Sequence, residues 1–168
     1  MNRLHNAYLT GRQMRIWDLM RNGLSQSEIA RRLSITRQAV NQLAQTIPER
    51  VTAALQDASK LNGVEPRYVD SSRGILAGWS RDSQTEAVIT LNPEAGLRVW
   101  YQHNLGQCKI CPDRRQCKSM LLKSVDDFGV SLTRQERELE PSKLSSLVFS
   151  RALGRDNNKA RRSALEPT

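Results

Sequence analysis

The sequence predicts an α+β fold: a helix-turn-helix segment, then a small antiparallel β-sheet, then a C-terminal helical segment with a Cys/His metal site. Three observations favour it. Apolar residues follow helical spacing up to about residue 61, and β-rich segments separated by turn residues fill residues 64–103. Cysteines and a histidine then cluster just before helical spacing returns.

The composition is that of a basic chain with an ordinary apolar content. Its 168 residues include 26 lysines and arginines against 17 acidic residues, a formal charge of +9. The basic excess lies mostly in residues 1–60 and beyond residue 150, which favours an acidic polymer over a membrane surface as partner. No apolar run approaches the ~20 residues that span a bilayer, and no signal-peptide core is present, so a cytoplasmic protein is expected.

The first helix is predicted to begin after Thr10, a residue type that caps helix N-termini, and to stop at Gly23. Its apolar side chains are Ile16, Trp17, Leu19 and Met20.

Residues 24–45 predict two short helices with a tight turn between them. Ser25 and Glu28 match the capping-box pattern, so a helix begins there. Ser34 lies in the turn, and Thr36 is a second N-cap. This is the layout of a DNA-binding helix-turn-helix. The positions predicted to face inward are Ile29, Ala30, Leu33, Ala39, Val40 and Leu43.

The outward side of the second helix is rich in amide and guanidinium groups. Arginine can bond guanine in bidentate fashion, and asparagine or glutamine can do the same to adenine. A helical hairpin that only packs or binds protein would show mostly glutamate and lysine there. We therefore predict a transcriptional regulator that binds double-stranded DNA in the major groove. The predicted contacts are Arg37, Gln38, Asn41, Gln42 and Gln45 on the helix capped by Thr36, with Ser25, Gln26, Arg31 and Arg32 at the phosphates.

Three segments, LTGRQ, GLSQSEIARRL and TRQAVNQL, give residues 8–60 a family resemblance. This part resembles the N-terminal helix-turn-helix of the archaeal Tfx-type transcriptional regulators and, more distantly, sigma factor region 4 and LuxR-type domains. The resemblance implies duplex DNA binding through the helix that begins at Thr36. It implies nothing about residues 61–168.

A further helix is predicted within residues 46–63, with Pro48 in its first turn and Gly63 just past its end. Its apolar stripe either covers the helical core or forms a dimer contact. Because one recognition helix contacts few base pairs, a homodimer on paired half-sites is expected. The stripe consists of Ile47, Val51, Ala54, Leu55, Ala58 and Leu61.

The segments RYVDSS, GILAGWS, EAVITL and LRVWYQH suggest two or three strands in a small antiparallel meander, the last two segments joined by the turn NPEAG. They contain no cluster of nucleophile, base and orienting group, so we expect no enzyme. The sheet is interpreted as a scaffold, or as a sensing or dimerisation module.

The stretch HNLGQCKICPDRRQC is the second segment with distinctive chemistry. Cys108 and Cys111 stand as C-x-x-C, Cys117 follows after five residues, and His103 precedes Cys108 by four others. Three thiolates and one imidazole form a tetrahedral ligand set, which predicts a structural zinc site. An iron–sulfur cluster, and free thiols with a Cys108–Cys111 redox switch, are the alternatives.

Beyond the cysteines, helices are predicted up to Gly129, from Thr133, and after a break at Pro141. The predicted domains are a helix-turn-helix domain at 1–62, an α+β module at 63–153 and a basic, disordered tail at 154–168. Two other classes stay open. One is an enzyme acting on nucleic acid, disfavoured by a closed zinc sphere, and the other is an adaptor that binds a transcription-machinery protein.

Overall fold

A computed structural model describes residues 8–102 and 107–155 and has an α+β fold. It divides into two compact units, Met1–Tyr101 and Gln102–Thr168. The division near residue 62 expected from the sequence falls inside the first unit, because the helices and the sheet share one core. Most of the predicted tail, residues 156–168, lies outside the described residues.

Three described helices of the first unit are each opened by the cap that the sequence predicts. Thr10 and Ser25 each form a full capping box, and the Thr36 side chain accepts a hydrogen bond from the Ala39 N–H. These predictions are confirmed. The helices are α1 (Gly11–Arg21), α2 (Gln26–Leu33) and α3 (Arg37–Leu61).

Helix α3 corrects one prediction, because it is a single helix of 25 residues where the sequence suggested two. Pro48 lies inside it. A proline removes its own N–H from the helix ladder and its ring crowds the carbonyl four residues back, but the buried positions keep a spacing of three or four residues on both sides of Pro48. Packing of this continuous face outweighs the local cost. The buried residues are Val40, Ala44, Ile47, Val51, Ala54, Leu55, Ala58 and Ser59.

The apolar stripe of α3 covers the chain's own core, which was the first of its two interpretations. Its side chains pack with α1, α2 and the sheet, and Ile47, Val51 and Leu55 are fully buried. They are therefore not free to form the dimer contact that was the second interpretation. Leu61 is the exception, since it is 83% exposed at the end of the helix.

The predicted antiparallel meander is confirmed, but it has four strands where two or three were suggested, in the order β1-β2-β3-β4. Edge strand β1 contains Pro66 and a register shift beside it, features that blunt an edge against pairing with other chains. One face of the sheet joins the core under α3 through Leu76, Ala87 and Ile89. The strands are β1 (Val64–Asp70), β2 (Ile75–Ser80), β3 (Thr85–Asn92) and β4 (Gly96–Tyr101).

Trp17 joins α1 to the turn between β1 and β2. Its side chain is 2% exposed, and its indole N–H donates to the Ser71 carbonyl at 3.2 Å. Gly74 follows at a φ of +65°, where a Cβ would come within 2.7 Å of the Trp17 ring and 2.6 Å of the Leu91 carbonyl oxygen. Only glycine fits at this position, so the Trp17 side chain of α1 can pack directly against the β1–β2 turn.

The same turn is organised by Asp70. Its carboxylate accepts hydrogen bonds from the Ser72 hydroxyl at 2.6 Å and from the Arg73 Nε at 2.8 Å. Burial alone would raise the pKa of Asp70, but these hydrogen bonds outweigh it and lower the pKa to about 2. The ionised carboxylate therefore stabilises the folded state.

We expect Asp70→Asn to lower the free energy of unfolding by about 1 kcal/mol at neutral pH, after allowance for solvent screening. The folded-state pKa lies below the ordinary value of 3.8, so the contribution is complete above that value and is lost as the pH falls toward 2. Urea unfolding of the wild type and of Asp70→Asn between neutral pH and pH 2 should show that the difference between their free energies of unfolding disappears in acid. Glu94→Gln, in the β3–β4 turn, should show no comparable gap, and a gap that persists in acid would exclude the charge as its cause.

The second unit contains the three helices expected from the sequence. Thr133 forms a capping box with Glu136, and Arg151 pairs with the Glu136 carboxylate at 2.6 Å. Phe128 and Phe149 meet with their ring centroids 6.1 Å apart. No helix in the described ranges combines the length and apolar character needed to cross a membrane. The helices are α4 (Arg114–Asp127), α5 (Arg134–Arg137) and α6 (Pro141–Ala152).

Candidate nucleic-acid interface and cysteine loop

The turn between α2 and α3 is fixed by backbone geometry and by packing. Ser34 ends α2 in the left-handed region at a φ of 54°, and the next N–H, of Ile35, bonds the Ala30 carbonyl at 3.0 Å. Ile29 of α2 and Val40 of α3 are both fully buried. The turn hydrogen bond and the buried contacts fix the same arrangement of the two helices. The outward face of α3 therefore has one defined orientation relative to α2.

The cap of α2 uses the side chain of Ser25. Its hydroxyl lies 2.6 Å from the Glu28 carboxylate and accepts from the Glu28 N–H at 3.3 Å, and the Glu28 carboxylate also accepts from the Ser25 N–H at 2.7 Å. The hydrogen bond from the Ser25 side chain lowers the pKa of Glu28. The Ser25 hydroxyl is thus engaged within the protein.

The predicted DNA-contacting side chains lie together on the outside of this unit. All those assigned to bases, together with Arg31 and Arg32, are exposed, whereas Gln26 is half-buried. In the part of the chain that the structure describes, most of them make no side-chain hydrogen bond or ion pair. These side chains are Arg31, Arg32, Arg37, Gln38, Gln42 and Gln45, of which Arg31 interacts electrostatically with Glu28.

One contact on this face was not predicted. The Gln26 side-chain NH₂ donates to the Asn41 side-chain oxygen at 3.4 Å, joining the start of α2 to the second turn of α3. In the sequence the pair appears only as two exposed amides 15 positions apart. The contact therefore requires the turn geometry, and it links a residue assigned to phosphates with one assigned to bases.

The three cysteines occupy the loop before α4 and its first turn. Cys108 is buried, Cys111 is exposed and Cys117 is half-buried. The Cys111 N–H bonds the Cys108 carbonyl at 3.4 Å, which bends the C-x-x-C segment into a turn. Cys117 follows in α4, where its N–H bonds the Asp113 carbonyl at 2.8 Å. The predicted helix start after Pro112 is thereby confirmed.

The described residues contain no group of three or more His, Cys, Asp or Glu side chains arranged to hold a metal ion. His103, the predicted fourth ligand, lies outside the described residues. The three cysteines are among these residues, so their thiols are not arranged as metal ligands in this structure, although thiolates remain a donor type that zinc prefers. Burial, and then the neighbouring thiols Cys108 and Cys111, raise the pKa of Cys117.

Beside this loop, Arg114 fixes the start of α4. Its guanidinium donates two hydrogen bonds to the Glu140 carboxylate, at 2.6 and 2.8 Å. The hydrogen bond from Arg114 lowers the pKa of Glu140. This fork joins the residue before α6 to α4, so the second unit positions the cysteine loop through an ion pair as well as its core.

Comparison of this chain with protein-family models, curated proteins and solved structures found no match. The resemblance to Tfx-type regulators stays a prediction based on residues 8–60.

Proposed function

We propose that this protein is a transcriptional regulator that binds double-stranded DNA sequence-specifically, with the first turns of α3 in the major groove. The observation that supports it best is the exposed, unengaged set of guanidinium and amide groups on those turns, among them Arg37, Gln38 and Gln42. These are the groups that bond purine edges in the major groove.

The local geometry agrees with this proposal. Thr36 opens α3 with a satisfied cap, so its first turns are ordered and their side chains project from a rigid element. Arg31 and Arg32 extend from the last turn of α2 into solvent, where arginines can contact phosphates. Phosphate contacts supply affinity that depends on salt, and base contacts supply specificity.

Two substitutions separate these roles. We expect Gln38→Ala to lose about 1 to 3 kcal/mol of binding, confined to one base position. Arg32→Ala should weaken binding to all sequences and make the salt slope shallower by about one. A selection from random-sequence duplexes, followed by titrations of the selected and random DNA at several salt concentrations, measures both effects.

Matched controls are available in the same unit. Gln56 is an exposed glutamine further along α3, and Arg81 is an exposed arginine on the β2–β3 turn that pairs with Glu65. Their alanine variants should bind like the wild type. Equal weakening on selected and random DNA by both Gln38→Ala and Arg32→Ala would exclude base recognition by α3.

We further propose that Cys108, Cys111 and Cys117 hold a structural zinc ion together with His103. The support is the chemistry of the donor set: three thiols lie in one short loop and the first turn of α4, and Cys108 is buried while Cys117 is half-buried. When bound, zinc would supply no reaction, because four protein ligands leave no open position for water. Its role would be to hold the loop against the start of α4.

A further inference from the structure

Helix α4 presents a second charged surface, apart from α2 and α3. One side of the helix lines an open groove of about 560 Å³. Its lining positions recur at helical spacing and so form one continuous face, about 16 Å long at 1.5 Å per residue. The lining residues are Arg115, Lys118, Ser119, Leu122, Lys123 and Asp126.

The basic side chains of this groove differ in whether a carboxylate of the protein lies close enough to pair with them. Lys118 lies 3.6 Å from Glu138, a carboxylate that is 81% exposed. Arg115 and Lys123 are exposed and make no hydrogen bond or ion pair with any residue of the described ranges. Asp126 lies at the C-terminal end of the groove and limits the positive part to the first two-thirds of it.

The positive part has the size and chemistry of a phosphate-binding surface. Arg115 and Lys123 are eight residues apart, or about 12 Å along a helix. Duplex DNA carries one phosphate charge per about 1.7 Å of its axis, so a length of about 12 Å lies beside several phosphates. Arginine binds phosphate through two parallel N–H groups, lysine binds it as a point charge, and a serine such as Ser119 adds a hydroxyl donor.

We propose that this α4 groove binds the phosphate backbone of duplex DNA and gives the protein a second, sequence-independent contact. The inference rests on the proposed function, because DNA held by α3 would meet the groove at the high effective concentration that a continuous chain provides. The groove adds affinity and salt dependence. We assign phosphate contacts and no base contacts to it.

The test compares two full-length double variants with the same charge change. Arg115→Gln with Lys123→Gln alters the groove, and Arg134→Gln with Lys143→Gln alters exposed cations of α5 and α6 outside it. Binding of each to a selected duplex and a random duplex is measured between 50 and 200 mM salt, and circular dichroism verifies that both fold.

For the groove variant we expect a salt slope shallower by about 1.8, from two lost phosphate contacts, on both duplexes. The wild type should therefore lose about tenfold more affinity than this variant over the salt range. The Arg134/Lys143 variant should keep the wild-type slope.

Equal slopes for the two variants would overturn the groove proposal, and so would an absence of all duplex binding by the wild type. Wild-type binding without any sequence preference would instead contradict the proposed function, while the difference in slopes would still decide the groove. If the groove variant keeps its DNA slope but loses binding to vesicles of anionic lipid, the groove binds a membrane surface and the proposal is wrong.

Discussion

Trp17→Ala should lower the free energy of unfolding of the first unit by about 3 to 5 kcal/mol, the usual loss for a large buried aromatic residue. The indole is 2% exposed and lies against Gly74, so its removal leaves a cavity between α1 and the sheet that the glycine cannot fill. It also removes the donor to the Ser71 carbonyl. Because helices and sheet share one core, we expect both to lose stability together.

Residue-resolved amide hydrogen exchange measures this coupling. Amides of α1, β2 and β3 should lose protection by a similar factor, since all three elements belong to the same core. Trp17→Phe keeps most of the apolar volume and should lose about 1 to 2 kcal/mol. Trp79→Ala is the matched control, because that ring is only half-buried and lies under Arg67. Strands that kept wild-type protection in Trp17→Ala would place the sheet in an independent domain.

Local signals made the helices and strands of this protein predictable. Helix caps such as Thr10, Ser25 and Thr133 depend only on the cap residue and the residue three positions later. They can therefore be recognised in the sequence. Turn residues and β-rich segments likewise predicted the meander, and its antiparallel pairing follows from short connections.

Long-range packing explains what the sequence did not predict. Pro48 is a local stop signal, and only the continuous burial of Ala44, Ile47 and Val51 shows why α3 passes through it. In the sequence, Trp17 is only one of the apolar side chains of the first helix, because its partners Ser71 and Gly74 lie more than 50 positions away. That contact places the sheet in the same unit as the helices.

The candidate interface was predictable in its chemistry but not in its internal contacts. Exposure of Arg37, Gln38 and Gln42 follows from helical periodicity once Thr36 is recognised as a cap. The Gln26–Asn41 hydrogen bond depends on the angle between two helices, which no local pattern specifies.

Removal of zinc should strongly lower the stability of the second unit. If Cys108, Cys111 and Cys117 bind zinc with His103, the purified protein should contain about one zinc per chain and be colourless. Stripping it with a chelator should destabilise the second unit by on the order of 5 kcal/mol. We expect less than the ~10 to 16 kcal/mol of zinc-finger peptides because this unit keeps an apolar core of its own, in which Leu121 and Leu144 are fully buried.

Variants separate zinc from the alternatives for this loop. Cys117→Ser should lose the metal and the exchange protection of the first turns of α4, whereas Ser119→Ala, on the exposed side of the same helix, should keep both. His103→Ala should bind zinc more weakly, since three thiolates would remain. A brown protein with visible absorption would indicate an iron–sulfur cluster. A metal-free protein whose α4 amides stay protected would show that packing and the Arg114–Glu140 pair suffice to order the loop.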